Sequence, residues 1–120
     1  MNKSQKKIDK KICRALTRAC EMAKVEVPGF QWLTHFVNYQ QFPQSLSIVC
    51  IFGSHAELAQ AHQEMTDQLL SAFIAAELQK IDINFKHIQR PVAFDTEEAC
   101  RVQSHGNWPV HFKKSRYADD

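Results

Sequence analysis

The sequence predicts a single small α+β domain in the order helix, strand, strand, long helix, broken strand, short helix, short strand. Three observations carry this expectation. Residues 4–24 and 54–80 repeat their apolar positions with a helical period. Two runs rich in branched and aromatic residues, "FQWLTHFVNY" and "SLSIVCIF", lie between those helices and read as strands. The chain has 120 residues, 44% of them hydrophobic, which suffices for one core without staples and is short for two domains.

In residues 4–24, Ile8, Ile12, Ala15, Leu16, Ala19, Met22 and Ala23 fall within about 120° of arc at 100° per residue. Lys6, Lys7, Lys10, Lys11, Arg14 and Arg18 lie opposite, and Pro28-Gly29 marks the exit of the helix. The two strands follow, joined by a polar connection containing Pro43, and an antiparallel pair is the simplest arrangement. The second strand is nearly continuous in apolar residues, as a strand buried on both faces would be. The long helix over 54–80 is expected to receive the hairpin on Leu58, Met65, Leu69 and Phe73. Its last turns are apolar nearly all round, because Leu70, Ile74 and Leu78 leave that stripe. They must be covered either by the broken strand and first helix or by a second copy of the chain, and a homodimer through these three residues is the preferred expectation. "INFKHIQRPVAF" is strand-like but interrupted by Pro91, which suggests an edge strand or two short pieces. A short helix begins at Asp95-Thr96-Glu97-Glu98, "NWPVHF" reads as a closing strand, and residues 113–120 read as a flexible tail.

Net charge is +2, but it is segregated. Residues 1–39 hold eight Lys/Arg and three acids, residues 40–100 three and eight, and residues 101–120 four and two. The local balances of +5, −5 and +2 allow a polyanion-binding face without making the whole chain basic. The four cysteines form no CxxC pair, and Cys13 and Cys20 on one helix stand about 10 Å apart along its axis, too far for a disulfide. Free thiols and the lack of an apolar leader segment lead us to expect a cytoplasmic protein with no membrane association.

Several chemical readings compete. "CIFGSHAEL" resembles a phosphate-binding strand-to-helix corner, yet the chain has only three glycines and neither GxGxxG nor GxxxxGK[ST]. Ser54 and Glu57 have capping-box spacing, so a capped helix start is favoured there. His55 and His62, seven residues apart, stand too far along the helix axis to share a metal ion. The densest reactive cluster is Asp95, Glu97, Glu98, Cys100 and His105. It reads first as a second capping box, from Asp95 to Glu98, and second as an acid/base site using Asp95, Glu98, His105 and His55. No cofactor or metal site is expected, and Trp32 and Phe36 read as packing rather than as base-stacking platforms.

At "GFQWLTHFVNY", "FPQSLSIVCIF" and "FDTEEACRVQSHGNW" the chain resembles a family of short uncharacterised bacterial proteins sometimes labelled Fis-like transcriptional regulators. The resemblance spans most of the chain and implies no particular activity or catalytic residues. A Fis-type regulator ends in a helix-turn-helix with a basic recognition helix. This chain ends "GNWPVHFKKSRYADD", with Pro109 inside the last ordered segment, so no helix-turn-helix is expected. The functional expectation is a non-enzymatic binding or regulatory protein. It would contact nucleic acid or an acidic partner through Lys7, Lys10, Lys11, Arg14 and Arg18, and the alternative is a small hydrolase or metal-dependent enzyme using Glu98 and His105.

Overall fold

A computed structural model describes residues 1–115 and 117. Helix α1 (Lys3–Glu26) begins at Asn2, whose side chain accepts the backbone N–H of Gln5 while the Gln5 side chain accepts the N–H of Asn2. This capping box satisfies two of the helix's free amides. The helix buries Ile12, Ala15, Leu16, Ala19 and Ala23, and the three alanines let its backbone approach its neighbours closely. After Val27 the chain turns at Gly29, whose φ of +85° suits glycine best.

Strands β1 (Phe30–Phe36) and β2 (Ser47–Phe52) form the expected antiparallel pair, with Leu33 opposite Cys50 and His35 opposite Ile48. Strand β3 (Val92–Thr96) pairs with β2 in parallel, giving the order β1-β2-β3. The middle strand is thus covered on both faces, and its residues from Ile48 to Phe52 are fully buried. Because side chains alternate along a strand, Ile48, Cys50 and Phe52 join one core with α1 and a later helix, while Val49 and Ile51 face the other way.

The segment expected as one long helix is two. α2 (His55–Glu64) and α3 (Thr66–Gln79) meet at Met65, which has a left-handed φ of 63°. That conformation costs a residue with a Cβ about 1–2 kcal/mol. A hydrogen bond across the break, between His62 Nδ1 and Asp67 Oδ2 at 2.6 Å, helps to hold it. The bend re-aims the second half. Leu70, Ile74 and Leu78 become the buried face and are fully enclosed, whereas Met65 is 57% and Leu69 38% exposed. Leu58 and Phe73 pack at the margin of the core. The expected packing stripe is therefore corrected at Met65 and Leu69, and the chain's own core covers Leu70, Ile74 and Leu78, so these residues carry no dimer contact.

Between α3 and β3, the strand-like stretch from Ile83 runs as irregular chain over 83–87 and as turns over 88–91, and only the part beyond Pro91 pairs with the sheet. Helix α4 (Glu97–Ser104) follows at once. The expected closing strand is instead helix α5 (Trp108–Lys114). Asn107 accepts the N–H of Val110, and Pro109 sits in the first turn, where its missing N–H has no partner to lose. α5 covers the second face of the sheet. Phe112 packs edge-on against Trp32 and Phe36, and Trp108 packs edge-on against Trp32. Lys113 and Lys114 belong to α5, and the Tyr117 hydroxyl donates to the carbonyl of Phe94 at 3.3 Å, so the expected tail does not begin at residue 113. Residues 116 and 118–120 of that expected tail lie outside the described residues.

The α+β class and the order helix, strand, strand, helix, strand, helix are thus observed around one contiguous core. Among the described residues no helix is long and apolar enough to cross a membrane.

Candidate nucleic-acid interface on the first helix

One side of α1 is sealed against the core, which fixes what its other side presents. Lys3, Lys7, Lys10, Lys11 and Arg14 are all exposed, and none of them makes an ion pair among the described residues. Spacings of three and four residues keep them within one face over about 16 Å of helix length. The first turn contains no acidic residue. Lys3, in the first turn at the positive end of the helix dipole, is unfavourable there by about 0.3–1 kcal/mol, and the row as a whole, without ionic partners, carries an uncompensated positive potential.

Arg18 departs from the expected set. Its guanidinium Nε donates to Glu77 Oε1 at 2.6 Å, and Lys80 Nζ donates to Glu77 Oε2 at 2.7 Å. The side chain of Glu77 is only 4% exposed, against 49% for Arg18. The hydrogen bonds from Lys80 and Arg18 outweigh burial and hold its carboxyl below the usual carboxylate range. Arg18 therefore joins α1 to α3 and is not a free member of the ridge.

The strand-to-helix corner is built as a cap. Ser54 Oγ accepts the N–H of Glu57 at 3.1 Å and donates to the Glu57 carboxylate at 3.0 Å. A Cβ on Gly53 would lie 2.6 Å from Glu57 Oε1, so the space a phosphate would need is occupied by an anion. Glu98 reaches over from α4 and accepts the N–H of His55 at 2.9 Å.

That contact corrects the second capping box. The cap of α4 is Thr96, whose Oγ1 accepts the N–H of Ala99 at 2.9 Å. Glu98 serves α2, and Asp95 faces α5, with Oδ2 2.9 Å from His111 Nε2. Among the four candidate acid/base residues, Glu98 meets the backbone of His55, and the His55 ring stands 3.4 Å from Thr96 Oγ1. His105 is exposed at the left-handed C-cap of α4 and makes no hydrogen bond or ion pair with Asp95, Glu98 or His55. The expected pairing of Glu98 with His105 is not formed.

A residue that sequence reasoning passed over takes His105's place. His111 Nδ1 lies 3.0 Å from Ser104 Oγ, completing a Ser104–His111–Asp95 chain. The residue types match a nucleophilic triad, but Ser104 is 4% and His111 1% exposed, so the hydroxyl has no access to a substrate. The chain is a satisfied buried network joining β3, α4 and α5. Beside it, Glu97 accepts from Trp32 Nε1 at 2.6 Å and Trp108 Nε1 at 3.2 Å. Trp32 and Phe36 are thereby packing residues. Cys50 and Cys100 are buried inside the fold, where burial pushes their thiols up and no substrate reaches them, which removes them as ready nucleophiles.

α4 and α5 are two consecutive short helices joined through Gly106, the element order from which a helix-turn-helix is built. Yet α5 turns Trp108, His111 and Phe112 inward and spans only seven residues, so it does not offer a recognition face. No protein-family model matches the chain, and no curated protein or solved structure is significantly similar to it.

Proposed function

We propose that the protein is a non-enzymatic binding protein that engages the phosphate backbone of a nucleic acid through the exposed cationic face of α1. The observation that supports this reading is the row Lys3, Lys7, Lys10, Lys11 and Arg14, exposed and without ionic partners among the described residues, with Lys3 in the first turn at the positive end of the helix dipole. A polyanion offsets that charge and gains from counterion release. The helix is anchored by its buried face, so the cations approach a ligand in a fixed spacing and little ordering is needed on binding. The four free thiols suit a reducing, cytoplasmic setting.

The test compares the wild type with a Lys7→Gln, Lys10→Gln, Arg14→Gln triple variant by fluorescence anisotropy on labelled single-stranded RNA and duplex DNA. At low salt the variant should bind at least about tenfold more weakly. Equal affinity would remove the ridge from the interface. Retention of an acidic protein after nuclease digestion, with neither nucleic acid bound, would replace the nucleic acid by a protein partner.

A further inference from the structure

The flank of α1 that faces β1 carries a different chemistry from its cationic face. Asp9 and Cys13 are one helical turn apart and point the same way. His35 lies on the face of β1 that looks toward α1, opposite Ile48 in the register. One donor atom from each of the three residues, a carboxylate oxygen, a thiol sulfur and an imidazole nitrogen, falls within 4.8 Å of the other two. His35 Nε2 is 3.6 Å from Asp9 Oδ1. Around a tetrahedral zinc ion with bonds of about 2.0–2.3 Å, donor atoms stand roughly 3.3–3.7 Å apart. Small side-chain rotations therefore suffice to close the set.

We propose that Asp9, Cys13 and His35 form a three-ligand zinc site. The donor set selects the metal. Calcium and magnesium prefer oxygen alone, whereas a thiolate with an imidazole and one carboxylate suits zinc. Two negative ligands neutralise the charge of the ion, and all three residues stand on rigid elements rather than on loops. Tyr39 supplies an outer partner, its hydroxyl donating to Asp9 Oδ1 at 2.6 Å, as the supporting residues of metal carboxylates do. Asp9 and His35 line a cleft of about 660 Å³ together with Asn38, Tyr39 and Ser45, whereas Cys13 and His35 line a second cleft of about 330 Å³, so the three donors sit where two open clefts meet at His35. Three protein ligands and an open position define a site that takes water or an anionic oxygen as its fourth ligand. The sequence does not announce this site, because His35 joins Asp9 and Cys13 only when β1 is laid beside α1.

Titration of the metal-free full chain with Co²⁺ tests the site through its optical spectrum, without reference to nucleic acid. One equivalent should produce a thiolate-to-cobalt charge-transfer band with intense tetrahedral visible bands, and Zn²⁺ should displace both. Cys13→Ser should abolish the charge-transfer band, and His35→Ala or Asp9→Asn should weaken uptake at least tenfold. Tyr39→Phe should weaken it about 10–100-fold. Cys20→Ser, two turns beyond Cys13 on the same helix, should leave the spectrum unchanged. Circular dichroism confirms that each variant is folded, and Cys13→Ser is a near-isosteric change at an exposed position. No cobalt uptake, a band that survives Cys13→Ser, or a band lost equally in Cys20→Ser would overturn the proposal.

Discussion

Glu77 is a buried carboxylate held by two half-exposed cations, and its energetics set a pH dependence. Lys80 and Arg18 lower its folded pKa below the value in the unfolded chain. The stability it contributes is therefore present above the ordinary carboxylate range and is lost as pH falls through the depressed folded value. Arg18→Gln should cost about 1 kcal/mol at neutral pH, discounted for solvent screening and for the remaining Lys80 bond. Urea denaturation at a series of pH values checks this, and the difference from wild type should vanish in acid. His111 is the second residue whose removal should be felt. Replacing it by Phe keeps the volume but strips Ser104 and Asp95 of their partner, at a cost of about 2–3 kcal/mol. A loss below about 0.5 kcal/mol in the same urea assay would contradict a structural role for the network. Residue identity alone did not show that role. Asp95, Cys100 and His105 cluster in sequence, but the side chain that reaches Asp95 comes from sixteen residues on and depends on where α5 places it.

Elements were legible where one face meets water and the other meets the core. α1 shows this best, because its apolar stripe and its cations follow one period and nothing interrupts it. β2 was legible for the opposite reason, since a continuous apolar run between turn residues has only a doubly covered strand to become. The misreadings have local causes. Met65 bends the long helix without a glycine or proline to announce it, so the stripe drawn through Met65 and Leu69 faces outward in fact. In "NWPVHF" the Trp, Val and Phe content reads as strand, while Asn107 and Pro109 stand at the spacing of a helix start, and capping prevails. Asn107→Ala should thus destabilise α5 by about 1 kcal/mol. Because Trp108 and Trp32 meet edge-on where α5 lies on the sheet, tryptophan fluorescence should report that loosening, with an earlier unfolding midpoint than wild type. An unchanged midpoint would mean that packing alone holds the helix.

At the scale of the molecule, the proposed function rests on segregated charge. The balance of +5 over residues 1–39 is matched by −5 over residues 40–100, so a small net charge conceals a strongly polar object. Part of that imbalance is internal, since Arg18 answers Glu77 across the α1–α3 contact. What remains is the face of Lys3, Lys7, Lys10, Lys11 and Arg14, which folding leaves in water. Fold class and this face could be read from the chain, but the withdrawal of Arg18 from it could not, because it depends on a residue fifty-nine positions away. The central claim is that this face binds phosphates, and the salt dependence of binding tests it most directly. Anisotropy titrations of a labelled oligonucleotide over a range of salt concentrations yield the slope of log K against log salt concentration. Five phosphate contacts predict a slope of about −3 to −5, and the Lys7→Gln, Lys10→Gln, Arg14→Gln variant should lose about 2–3 of it. A wild-type slope near zero, or a slope that the triple substitution leaves unchanged, would contradict the account.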